Sequence, residues 1–163
     1  MAGRIVDLTA LAQQIDQAID PRCQIRDDAS ARLQNIRGRI DDLRRQIEVV
    51  FHRILKQPRY LKLLQYPNST FHNDRVVLPL KAEQQGRIPG IIHRSSDSGA
   101  TLFVEPAQVV ELNNAIARLR DKEHEEITRI LSELSRLVYR HGEQILQLMD
   151  AVAVLDLDRK SVV

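Results

Sequence analysis

Two runs of apolar residues, spaced alternately by three and four, constrain this chain more than any other feature. The first passes through Leu33, Ile36, Ile40, Leu43, Ile47, Val50 and Ile54. The second takes Leu112, Ile116, Leu119, Ile127, Leu131, Leu134, Val138, His141, Ile145 and Leu148. Residues at this spacing fall on one stripe of an α-helix, and sustained alternation of three and four is the heptad pattern by which helices pack side by side. The gap from Leu119 to Ile127 reads as two steps of four through Glu123, a stutter that relaxes the supercoil. Asp27 or Asp28 is placed to cap the first helix, and Pro106 to open the second from its first turn.

Between the seams the pattern changes. Pro67, Asn68, Asn73, Asp74, Gly86, Pro89, Gly90 and Gly99 punctuate short apolar runs, the mark of strands and turns. Strands are expected near 69–72, 75–81, 88–94 and 100–104, with a tight turn at Asn73-Asp74 and a polar loop at Ser95–Gly99. Pro79 inside the second run points to an edge strand or a bulge.

Two heptad helices joined by a β insert bury their seams most simply by folding back on each other. The expected fold is therefore mainly α with a small β insert, a long antiparallel, coiled-coil-like arm carrying a roughly four-stranded antiparallel β tip. Its parts are a short helix and linker over 1–28, a first arm helix over 29–66, the tip over 67–105 and a second arm helix over 106–148. Residues 149–163 read as the truncated start of a returning core segment. Ile130 and Leu137 widen the apolar stripe of the second helix and call for a third element against it.

Composition agrees: aromatic residues are only 4% and charged residues 28%, a balance suited to helices packed through Leu, Ile and Val. The single Cys23 excludes an internal disulfide framework, and no apolar run is long enough to cross a bilayer, so a cytoplasmic protein without membrane contact is expected. The net charge of +2 hides an uneven distribution. Residues 22–62 carry eleven Lys or Arg against five acids, whereas 107–147 carry six against seven and 63–106 four of each.

The stretch Arg75-Val-Val-Leu-Pro-Leu-Lys-Ala-Glu, then Gly90-Ile-Ile-His-Arg-Ser-Ser-Asp-Ser-Gly-Ala-Thr-Leu-Phe-Val-Glu-Pro, then Val109-Val-Glu-Leu-Asn-Asn, is similar to the bacterial MutS paralogue family known as MutS-two. Asp28-Ala-Ser-Ala-Arg-Leu with Ile36-Arg resembles the opening of that family's long helix, so the likeness covers residues 25 to 158. It implies a lever with an inserted clamp, the part that closes around nucleic acid in a homodimer. DNA or ribosomal RNA is the implied partner. ATP and Mg²⁺ are implied only for an ATPase domain outside this chain, as is a small MutS-related nuclease domain. None of the six glycines opens a phosphate loop, so no cofactor and no catalysis are expected of these residues.

Three constellations remain. His93, Ser95 and Asp97 superficially match a hydrolytic triad, yet such groups normally converge from distant positions. A turn whose hydroxyls bond their own backbone, with Gly99 left-handed, is the plainer reading, and a phosphate-contacting loop of His93, Arg94, Ser95, Ser96 and Ser98 is the functional one. The five histidines show no metal-ligand spacing. Arg37, Arg39, Arg44 and Arg45 lie at or near positions flanking the first seam, where interhelical ion pairs are usual. The flanks of the second seam, Ala115, Arg120, Ile130, Ser135 and Leu137, offer no acid, which favours a nucleic-acid face. Lys81, Arg87 and Arg94 add phosphate contacts at the tip. The competing expectation is a structural spacer or protein-interaction arm.

Overall fold

A computed structural model describes residues 7–160, the side chains of 155–160 excepted. The ends of the expected 1–28 and 149–163 segments, with Leu155 and Leu157, thus lie outside the described residues or side chains. The described elements are α1 (Thr9–Ala18), α2 (Ala31–Leu55), α3 (Pro58–Leu61), β1 (Thr70–His72), β2 (Arg75–Lys81), β3 (Gly90–Ser95), β4 (Thr101–Pro106), α4 (Ala107–Arg140) and α5 (Gly142–Lys160). The chain is mainly α with one small antiparallel sheet, as its periodicities require. It divides into two compact units, Asn35–Glu123 and the residues on either side.

In the Asn35–Glu123 unit, Ile36, Ile40, Ile47, Phe51 and Ile54 of α2 are buried in one core with Val109, Ile116 and Leu119 of α4. Leu43, Val50 and Leu112 complete the stripe as half-buried contacts. The two helices run antiparallel, with the sheet joining them at one end and Leu78, Leu80 and Val104 closing the core there. α2 stops at Leu55 rather than reaching residue 66. Pro58 has no N–H to give and forces the preceding residue out of the helical region, so Gln57 is extended (φ −92°, ψ 117°) and only the single turn of α3 follows.

The sheet order is β1-β2-β4-β3, all antiparallel. Asn73 and Asp74, both at positive φ (47° and 61°), make the two-residue turn between β1 and β2. Pro79 does not mark an edge. β2 is internal, and Pro79 lies opposite Phe103 of β4 while its carbonyl accepts the Gln65 N–H at 2.8 Å. Backbone N and C=O of a strand residue face the same side, so the missing donor faces the 63–65 segment, where pairing is a lone bridge, and costs the β4 ladder nothing. Pro106 closes β4 opposite Gly90 instead of opening α4. A Cβ on Gly90 would fall 2.1 Å from the Glu105 carbonyl oxygen, so glycine is what allows β3 that close.

The flanking unit is built from α1, the turn after it, the start of α2 and the distal part of α4. Ala18, Leu33 and Ile130 form its buried centre, with Ile19, Ile25, Ile127 and Leu134 against them, so α1 supplies the cover that Ile130 requires. Ser30, not Asp27 or Asp28, caps α2: its Oγ accepts the Leu33 N–H at 3.0 Å, a bond that contributes about 1 kcal/mol.

The second seam departs from its expected course. Leu131 and Val138 are exposed, and the buried stripe instead runs Leu119, Glu123, Glu126, Ile130. The stutter thus shifts the inward face onto two glutamates that a search for apolar residues passes over. The expected helix over 106–148 is also two helices. At its end the His141 N–H bonds Val138 rather than Leu137, whose carbonyl lies 2.9 Å from the imidazole Nδ1, and Gly142 then opens α5.

Candidate nucleic-acid interface

Among the described residues three carboxylates are buried, and each is gripped by arginine. Glu105, with no exposed surface, takes two hydrogen bonds from Arg75 Nη1 (2.9 and 3.0 Å), one from Asn113 Nδ2 (2.7 Å) and a 2.5 Å contact with His93 Nε2. His93 reaches it because β3 carries a register shift between Ile92 and Arg94, and a bulge re-aims the side chain at that point. Arg75 Nη2 also donates to Asn114 (2.7 Å), which ties the sheet to the first turns of α4.

Glu123 accepts Arg37 Nε (2.7 Å) and Arg120 Nη1 (2.6 Å). Burial opposes its charge, but the two guanidiniums outweigh burial and hold its carboxyl below the usual range. In the flanking unit Glu126 accepts Arg129 Nη2 at 2.6 Å and Ser30 Oγ at 2.8 Å, with Arg32 3.5 Å away. The hydrogen bond from Arg129 is the main reason its pKa falls from 4.5 to about 2, against the opposing effect of burial and with help from Ser30 and the two arginine charges.

The arginines expected to form an unpaired face are mostly engaged. Arg37 holds Glu123, Arg44 pairs with Asp41 at 3.7 Å, and Arg45 pairs with Asp42. The acid missing from the flanks of the second helix is on the seam itself. Arg39 differs: it is exposed and makes no ion pair among the described residues. With Asp42, Leu43 and Gln46 of α2 and Ala115, Arg118, Leu119 and Lys122 of α4 it lines a groove of about 340 Å³. Arg118 and Lys122 escaped the sequence reading because residues 107–147 are slightly acidic as a whole. Their spacing of four on one helix face was the available signal.

At the tip, the Ser95–Gly99 loop is closed by its own bonds. Ser96 N–H donates to the Thr101 carbonyl (2.8 Å), Ser96 Oγ accepts the Thr101 N–H (3.1 Å), and Gly99 is left-handed (φ 71°). Ser96 and Ser98 hydroxyls lie 3.3 Å apart. Arg94 bonds both Asp97 (3.0 Å) and the Ser95 carbonyl, while His93 contacts Glu105, so the bonds of His93, Ser95 and Asp97 do not make a triad. Ser95, Ser98 and Arg87 are exposed, and half-buried Lys81 donates to the Lys62 carbonyl at 3.3 Å.

This architecture defines a helical hairpin with a carboxylate-braced β tip. No family model matches the chain. It is 41% identical over 155 residues, 95% of its length, to the protein named Endonuclease MutS2 of Geobacillus thermodenitrificans. Likeness to the proteins of that name from Pelotomaculum thermopropionicum (40% over 96% of the chain) and Ruminiclostridium cellulolyticum (46% over 77%) is similar. The chain belongs to the MutS2 family. It spans 20%, 20% and 16% of the lengths of these relatives. No described helix is long and apolar enough to cross a membrane.

Proposed function

We propose that the chain is a non-catalytic lever and clamp segment of a MutS2-type ATPase, gripping DNA recombination or repair intermediates or structured RNA on collided ribosomes. The carrying observation is the tip. An exposed loop of serines, closed on itself and carrying the Arg94–Asp97 pair, stands on a sheet braced by the buried Arg75–Glu105–His93 cluster. Hydroxyls and guanidiniums held on a rigid base suit phosphate oxygens, which position a partner without reading its sequence. Relatives named as endonucleases support nucleic acid as the partner class. On this reading the whole protein is a cytoplasmic homodimer, and ATP with Mg²⁺ acts in another domain. The rival reading, a structural spacer, draws support from the pairing of Arg37, Arg44 and Arg45.

The test is fluorescence anisotropy of the chain with duplex DNA, branched DNA and structured RNA, beside a variant with Lys81, Arg87 and Arg94 all changed to Gln. The variant should bind each of them more weakly, with no change in sequence preference. Equal affinity of variant and parent would remove the tip from the interface.

A further inference from the structure

We propose that the groove lined by Arg39, Arg118 and Lys122 is a second nucleic-acid contact, one that takes the phosphodiester backbone on the flank of the helical hairpin. It rests on the gripping reading above and extends it from the tip to the helices.

The groove is unusual for what its charges lack. Arg37, Arg44, Arg45 and Arg120 all spend their charge on carboxylates, whereas Arg39, Arg118 and Lys122 are exposed and have no ion-pair partner among the described residues. The one acid in the lining, Asp42, is already engaged by Arg45. Like charges four apart on a helix, here Arg118 and Lys122, destabilise it, and Arg39 from the facing helix adds a third. The fold thus gathers three cations where they repel one another, a cost that a bound anion reverses.

The shape fits the same ligand. Besides its charged residues the lining holds the small Ala115, Leu43 and Leu119, and Gln46 adds a neutral donor. Two guanidiniums offer forked donors matched to phosphate oxygens and the lysine a mobile point charge. No aromatic side chain lines the groove for stacking, which points to backbone rather than base contact.

The experiment compares the full chain with Arg39→Gln/Arg118→Gln/Lys122→Gln, using duplex DNA and structured RNA of equal length across a salt series. Each lost phosphate contact lowers the magnitude of the slope of log Kobs on log salt by about 0.9 on duplex DNA and about 0.7 on single strands, so the triple variant should lose about 2–3 on duplex. Circular dichroism should be unchanged, because Gln is nearly as good a helix former as Arg or Lys. A second variant, Asp42→Asn, removes the only acid in the groove and frees Arg45. It should bind more tightly with a steeper slope, a gain that misfolding does not mimic. If both variants keep the parental slope while the tip variant loses affinity, the groove is no contact and the gripping reading stands. If the parent binds neither nucleic acid, both fall together.

Discussion

Changing Arg75 to Ala should lower the stability of the chain by about 3–5 kcal/mol, the range measured when one partner of a buried ion pair is removed and the other is left uncompensated. Glu105 has no exposed surface, and Arg75 provides both guanidinium bonds to it as well as the bond to Asn114. His93 and Asn113 would remain, but they offer one contact each. Removing Arg75 and Glu105 together, as Arg75→Met/Glu105→Leu, should cost far less, since apolar replacement of a buried pair is often near neutral. Urea denaturation of the two variants checks this. A single-variant loss under about 1 kcal/mol would show that His93 and Asn113 compensate the carboxylate without Arg75.

The second large effect is on acid stability. Glu126 has its pKa lowered from 4.5 to about 2, chiefly by the hydrogen bond from Arg129. A carboxyl whose folded pKa lies below its unfolded value favours the fold when ionised. Its contribution is therefore complete above about pH 4.5 and is lost as the pH falls through about 2. Glu123, lowered in the same direction, adds loss of the same sign. Glu126→Gln should cost about 2 kcal/mol at pH 7, the worth of hydrogen bonds to a charged group, and the difference from the parent should shrink as the pH approaches 2. Denaturation midpoints at pH 7, 4 and 2 test it. A constant difference at all three would mean that packing, not charge, is what Glu126 supplies.

The same carboxylates explain what could and could not be read from the sequence. The seam of α2 and its partner Ile116–Leu119 were legible because apolar residues at alternating steps have no other economical use, and the Asn73-Asp74 turn because few residues accept positive φ. The inward turn of Glu126 was not, and Glu123 was legible only as a step of the stutter, not as a buried carboxylate. A charged residue on a helix reads as solvated, and only the three-dimensional placement of Arg37, Arg120, Arg129 and Ser30 makes its burial possible. That omission propagated. With no acid found at the flanks of the second seam, Arg37 looked unpaired, and Arg118 and Lys122, which have no ion-pair partner among the described residues, were hidden in a segment of balanced charge. Pro79 misled for a related reason, since which side of β2 lacks a regular ladder depends on the 63–65 segment.

On the proposed function, these residues grip nucleic acid through its backbone. The most direct measurement is the affinity of the unaltered chain for duplex DNA and structured RNA between low and physiological salt. Binding should weaken linearly in log salt, with a slope that reports several phosphate contacts and little dependence on sequence. Absence of binding at low salt, or an affinity that salt does not change, would contradict it and leave the chain a structural spacer.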